Sequence, residues 1–552
     1  MTTRNAGHAG HAGQAIADSL VRHGVERVYA VPGESYLALL DGLYETKILT
    51  VVTRQEGGAG YMAEAHGRFT GKPGVAMVTR GPGAANAFIA VHAAWQDATP
   101  MVLFVGLIPV KDRGRESFQE FDPFAWFGTQ AKRVLVLEDA SRASDVVAEA
   151  FHAATSGRPG PVVVGLPEDI VASPFDGEIT APWPIAEGAV SVDDMNSVID
   201  ALKGAKRPLL FLGGERWTPQ ASALIASFVE KNRIPVLHDW RASDRVPGGS
   251  PANEGWLGYG RSDAAAQMFT DADLVVAIGQ VPGDVATDGY ALRQSADQRT
   301  ILVNIDAGLR GLGCAFQRHV LASPTAFADS VRDIDLGRAD TWQEWCSAGH
   351  DAFVSYSSID RTSLPPTMEG TAHLSLLVEE VVLRLDSGAV TTFGAGNHCH
   401  WAQRYFPTEV YPSQLGMRNG SMGYSVPAAI AASLSAPHRQ AIAIAGDGEF
   451  LMNGQELATA VQYGASPLII VADNRQFGTI RAHQEKQFPG RISGTQLRNP
   501  SFATLMVGYG GHGETVRSNA EIPHAVEEAF AAIKRGLPAL IHIVTDPTIE
   551  AP

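Results

Sequence analysis

Asp447 stands between two glycines, in Gly446-Asp447-Gly448, directly after the apolar run 441–445. A second apolar run, 468–472, ends beside Asp473-Asn474, and Asn474 lies 27 residues after Asp447. That interval holds one helix and one strand. Two neighbouring parallel strands therefore deliver both side-chain oxygens to one sheet edge. A hard divalent cation such as Mg²⁺ binds oxygens of this kind, commonly one or two carboxylates together with phosphates. The flanking glycines let backbone N–H groups approach a diphosphate, and the following helix turns its positive end toward it. Gly-Asp-Gly alone is an ordinary surface turn; the strand before, the helix after and the second strand ending in Asn carry the reading.

A second acid has the same setting. In Arg54-Gln55-Glu56-Gly57-Gly58-Ala59, Glu56 follows an apolar run and opens a helix of small residues, which places it at a sheet edge. A helix-start glutamate is also favoured by the dipole alone. Two glycine-rich segments complete the candidates, Gly420-Ser421-Met422-Gly423 and Gly394-Ala395-Gly396-Asn397-His398.

The elements that must position these groups repeat one pattern: a short apolar run, a glycine-rich turn, a helical stretch. The runs fall at 25–31, 48–53, 75–79, 101–105 and 162–164, then at 208–212, 235–237, 274–278 and 301–305, then at 390–393, 441–445, 468–472 and 540–544. The pattern predicts an α/β fold of three doubly wound parallel-sheet domains, over 14–180, 190–345 and 370–552. Irregular stretches at 167–188 and 357–370 read as linkers. Residues 1–13, polar and rich in Gly, Ala and His, read as a disordered tail in preference to a metal site built on His8 and His11.

The 552 residues exceed one hydrophobic core. A net charge of −16 disfavours nucleic acid and anionic membranes as partners. No apolar run is long enough to span a membrane. Cys314, Cys346 and Cys399 show no metal spacing, which suits a reduced, cytoplasmic protein.

These motifs resemble the thiamine-diphosphate enzyme superfamily, and nearly the whole chain resembles acetolactate synthase-like proteins, most clearly at 446–458 and 420–432. The resemblance implies Asp447, Asn474 and the backbone carbonyl of Gln476 as Mg²⁺ ligands. It implies cofactor contacts from Gly33, Asn397, His398, Gly446, Gly448 and Glu449, a pyrimidine grip from the Gly420 carbonyl, and Met422 as the wedge that folds the cofactor. Glu56 becomes the acid that drives the aminopyrimidine into its imino form, for which a low-dielectric pocket is expected. Glu56 and Asp447 then come from different subunits, which implies a homodimer or homotetramer with active sites at the interface.

The implied activity is making or breaking a carbon–carbon bond next to a carbonyl, on 2-keto acids, aldehydes or 2-hydroxy ketones. A FAD-containing 2-keto acid oxidase and a silent cofactor-binding homologue are the alternatives. Phe118-Gln119-Glu120 resembles the group's Phe-Gln-Glu and makes Gln119 a candidate for polarising substrate. Where the group often has Gly-Gly or Gly-Ala, this chain has Gly33-Glu34, a titratable acid beside the substrate; the group's pocket tryptophan is replaced here near His483, and Gln119, His483 and Glu34 are the candidates for handling substrate protons. The segment 478–484 also resembles benzaldehyde lyase-like carboligases. Gln280-Val281-Pro282-Gly283-Asp284 replaces the Arg-rich run that helps hold FAD, which puts FAD in doubt. Asp473 stands where the family often has Asn, an extra acid near the site.

Overall fold

A computed structural model describes residues 10–292, 298–309 and 315–552. His8 and Cys314 lie outside them, as does the predicted tail up to residue 9. The chain divides into two compact units at Ala186. The first holds one six-stranded sheet and the second holds two, and every strand pair in the three sheets is parallel.

In the first unit the strands run across the sheet as Leu49–Val52, Arg27–Ala30, Gly74–Val78, Met101–Leu107, Pro161–Pro167 and Arg133–Val136. The order reverses between Arg27–Ala30 and Gly74–Val78, so a crevice opens there at the carboxyl ends. The predicted tail and linker are corrected here. Gly10–His11 pairs antiparallel with Pro174–Phe175, and His11 caps the helix Ala12–Arg22, its ring nitrogen accepting from Gln14 N at 3.1 Å. Ala12, Ile16 and Leu20 bury on one helical face, which a hydrophilic N-terminal composition does not reveal.

The second unit contains the sheet Asn253–Leu257, Val236–Asp239, Pro208–Leu212, Leu274–Ile278, Arg299–Val303, Arg318–Val320 and the sheet Gln414–Gly416, Val390–Phe393, Ala441–Gly446, Leu468–Asp473, Ala539–Val544, His512–Val516. The last sheet reverses between Val390–Phe393 and Ala441–Gly446, beside the Gly-Asp-Gly turn. The helix Ala339–Ser357 runs through the expected domain edge at 345 and buries Trp342 and Cys346 in the middle core.

The same helix covers Glu254, which is 2% exposed and accepts from the Cys346 thiol at 3.7 Å. Burial pushes Glu254 up to about 9. The folded protein thus keeps a proton that the unfolded chain releases above its ordinary carboxylate range. Stability conferred by that proton is complete at acid pH and falls as pH rises toward 9, by at most about 1.4 kcal/mol per unit. The melting temperature is expected to drop between pH 6 and 8.5, and Glu254→Gln to remove most of that drop. A drop unchanged in the variant contradicts the account.

Candidate active site

Strands Ala441–Gly446 and Leu468–Asp473 pair in register, with Gly446 opposite Ala472. Asp447 and Asn474 consequently leave the sheet at the same edge, and both line one cleft of about 300 Å³. The cleft also gathers Asn397, His398, Gly420, Met422, Gly446, Gly448, Glu449 and Gln476, all of them sequence candidates.

Asp447 is 2% exposed. It accepts from Gly448 N at 2.9 Å and from Asn499 Nδ2 at 2.7 Å. It has no cationic partner among the described residues. Burial, then the neighbouring Asp473, pushes its carboxyl up to about 7. Asp473 turns to other partners: His542 Nε2 lies 2.9 Å from Oδ2, and Asn499 Nδ2 donates to Oδ1 at 2.8 Å. Burial acts against its charge, yet these hydrogen bonds hold Asp473 below the ordinary carboxylate range. The extra acid read from the sequence is therefore engaged by a buried histidine. The Gln476 side chain is occupied by Pro547 O and Arg481, and its backbone N–H donates to Asn474 Oδ1 at 3.2 Å, so its carbonyl is the group offered to the cleft.

Among the described residues four helices begin at the cleft: Leu374–Val382, His398–Tyr405, Asp447–Asn453 and Gly478–Gln487. Their first-turn N–H groups have no intrahelical partner and present a positive end. At Gly448 a Cβ would sit 2.5 Å from the Phe477 ring, so only glycine keeps this turn tight. A carboxylate lacking a cation, an amide oxygen, a backbone carbonyl and converging helix starts fit a hard cation bound to an anion.

His398 is buried 2.8 Å from Glu449 Oε2. Burial opposes its charge, but Cys399 and Glu449 raise it to about 10. Glu449 Oε1 accepts from Ser425 Oγ at 2.8 Å. The Glu449 carboxylate is thus spent on His398 and Ser425, and its backbone N–H in the first helical turn is the group left for a ligand. Sequence reasoning missed Asn499, which bridges the two aspartates, and Thr479, which donates to Asn397 Oδ1 at 2.7 Å. Both are common polar residues with no motif of their own. His483 does not join the cleft; it is exposed one turn beyond Thr479.

The middle domain braces this site. Arg241, buried and in the left-handed region (φ 78°), donates to Gly394 O at 2.9 Å and lies over the rings of Trp240 and Phe393, each 4.3 Å away. Asp239 holds Arg418 Nε at 2.7 Å, two residues before Gly420.

In the first unit, Gly33, Glu34, Glu56 and Gln119 all reach the carboxyl edge of the sheet. Glu56 opens the helix Glu56–Thr70 and accepts from Asn86 Nδ2 at 2.9 Å, while Gln55 caps that helix through Gly58 N. Within its own unit Glu56 is half-buried, short of the enclosed pocket expected for it. Gln119 has φ 64° and its carbonyl accepts from Gly81 N at 3.2 Å. Glu34 is paired, with Arg80 Nη1 at 2.8 Å.

Three family models match this chain in sequence order. "Thiamine pyrophosphate enzyme, N-terminal TPP binding domain" matches residues 10–126, the central domain of the same enzymes 195–327, and their C-terminal TPP binding domain 394–543. The probable acetolactate synthase large subunit of Methanocaldococcus jannaschii is 28% identical over 98% of this chain and 92% of its own length. The acetolactate synthase isozyme 1 large subunit of Escherichia coli is 29% identical, over 96% and 93%. The mitochondrial acetolactate synthase catalytic subunit of Saccharomyces cerevisiae is 27% identical, over 97% and 81%. With each predicted domain matched by its own thiamine pyrophosphate model, and full-length similarity to acetolactate synthases, the chain belongs to the acetolactate synthase-like thiamine-diphosphate-dependent enzymes.

Proposed function

We propose that this protein is a thiamine-diphosphate- and Mg²⁺-dependent enzyme that decarboxylates 2-keto acids or ligates the resulting fragment to a second carbonyl, with 2-hydroxy ketones cleaved by the reverse chemistry. The observation that carries the reading is the in-register pair of strand ends that turns Asp447 and Asn474 into one cleft. When bound, thiamine diphosphate would supply a nucleophilic carbon and a cationic ring that takes up the electron pair of the breaking bond. The Asp447 carboxylate, the Asn474 amide oxygen and the Gln476 carbonyl would hold Mg²⁺. The helix starts at His398, Asp447 and Gly478 would receive diphosphate oxygens. Gly420 and Met422 orient the ring system, and Glu56 holds a proton toward the pyrimidine nitrogen. Gln119 orients the substrate carbonyl. Homology to acetolactate synthases supports an active unit of at least two chains, in which a second surface completes the enclosure of Glu56. Among the described residues no helix is long and apolar enough to cross a membrane.

The test is a screen of 2-keto acids, aldehydes and 2-hydroxy ketones with cofactor and Mg²⁺, read by mass spectrometry. Cofactor-dependent loss of a keto acid or hydroxy ketone is expected. Tight cofactor binding with no turnover of either class contradicts the proposal.

Arg241 offers a separate check. Arg241→Met removes the bond to Gly394 O but keeps apolar packing between the two rings. Affinity for thiamine diphosphate is expected to fall about tenfold, the loss of one charged hydrogen bond. Unchanged affinity in a folded variant would show that the middle domain does not tune the cradle.

A further inference from the structure

The first sheet carries an ion cluster that the proposed chemistry does not use. Arg27–Ala30 and Gly74–Val78 flank the point where strand order reverses, and ligands favour such crevices. The turns that follow them touch: a Cβ on Gly33 would lie 2.5 Å from Thr79 Cβ. The next residue in each turn is charged, Glu34 in one and Arg80 in the other. Arg80 Nη1 donates to Glu34 Oε1 at 2.8 Å, and Nη2 to Glu168 Oε2 at 2.5 Å. The Arg80 side chain is 8% exposed, and its Nε is buried without a partner. The Glu34 side chain is 68% exposed, and only its Oε1 enters the ion pair.

Two acids share one guanidinium, so the accessible end of the cluster is a carboxylate. Arg80 keeps its charge at any working pH, and its planar fork fixes where that carboxylate sits. Strand pairing sends its turn and that of the proposed acid off neighbouring strands at one edge: Ala30 is opposite Val52, and Glu34 and Glu56 each stand four residues further on. A carboxylate accepts hydrogen bonds and donates none. It favours a substrate hydroxyl and repels a substrate carboxylate.

We infer that Arg80, held between Glu34 and Glu168, is a positioning residue for Glu34, and that Glu34 selects a neutral hydroxylated acceptor, a hydroxy-aldehyde or hydroxy-ketone, over a second 2-keto acid. This rests on the functional reading above. The acceptor is the second carbonyl compound, which receives the fragment left after the donor loses CO₂.

The full-length enzyme, with thiamine diphosphate, Mg²⁺ and the donor identified by the screen, is given glycolaldehyde, propanal and 2-ketobutyrate in competition, and donor consumption is followed separately. Glycolaldehyde product is expected to exceed 2-ketobutyrate product at least about tenfold in the wild type, with propanal between them. Glu34→Gln is expected to reduce that ratio about tenfold, chiefly through the KM for glycolaldehyde. Arg80→Lys, which keeps the charge but loses the fork, is expected to reduce it by a smaller factor. A wild-type ratio favouring 2-ketobutyrate overturns the inference even should the variants fail to fold. So does a ratio unmoved in Glu34→Gln while donor is still consumed. Absence of donor consumption in the wild type removes the functional reading itself, and this inference with it.

Discussion

Glu56→Gln is expected to lower turnover at least about a hundredfold, the usual scale for losing a positioned proton-transfer group. The substitution keeps size and shape. Asn86 Nδ2, which donates to Glu56 Oε2, can donate equally to the amide oxygen of glutamine. Gln55 continues to cap the helix through Gly58 N. The melting temperature should therefore stay within about 2 °C of wild type. What the variant lacks is a carboxyl able to hold or share a proton toward a ring nitrogen. Cofactor affinity should change far less than turnover, because the proposed diphosphate site is built from other residues of the chain. Near-normal turnover in a folded, cofactor-loaded Glu56→Gln protein would remove Glu56 from this role.

Asp447→Ala is expected to have the second large effect, on binding. In the absence of ligand this acid is a burden: burial and Asp473 raise it to about 7, and it has no cationic partner among the described residues. Removing it should leave the unliganded protein at least as stable near neutral pH, where part of the population must otherwise carry a buried charge. The stabilisation by ligand should disappear. A cofactor at a hundred times its Kd stabilises the wild type by about 2.7 kcal/mol, which reads as a rise in melting temperature. In Asp447→Ala that rise should be lost, and affinity for the Mg²⁺-cofactor pair should fall at least about a hundredfold. A full thermal shift in the variant would contradict the metal role.

The central strands were legible because each is buried on both faces and reads as an unbroken apolar run. Ile442–Ala445 and Leu468–Val471 are fully or almost fully buried. Several edge strands were not legible. Asn253–Leu257, Arg318–Val320, Gln414–Gly416 and His512–Val516 have one strand neighbour each and carry Asn, Glu, Arg, His and Gln. With one side unpaired, such strands tolerate polar residues, and the apolar signal fades. The site divides along the same line. Asp447 and Asn474 were readable because each stands at the end of an unbroken apolar strand, and Gly446 and Gly448 because they flank Asp447 where the His398 and Phe477 side chains leave no room for a Cβ. Asn499 and His542 act only after folding carries them to Asp447 and Asp473, and nothing local marks them. Glu34 was visible as an acid, but Arg80, 46 residues further on, and Glu168, 88 residues beyond Arg80, become its companions only through the sheet. His483 differs from these, since a residue type suited to proton transfer sits one helical turn outside the cleft.

Mn²⁺ can stand in for Mg²⁺ at oxygen sites and scatters X-rays anomalously. A crystal of the protein grown with Mn²⁺ and thiamine diphosphate should give one strong anomalous peak within ligand distance, about 2.0–2.4 Å, of oxygens from both Asp447 and Asn474. A cofactor bound with its metal elsewhere, or with either of these two side chains outside the coordination shell, would contradict the claim that the paired strand ends are the metal-diphosphate site.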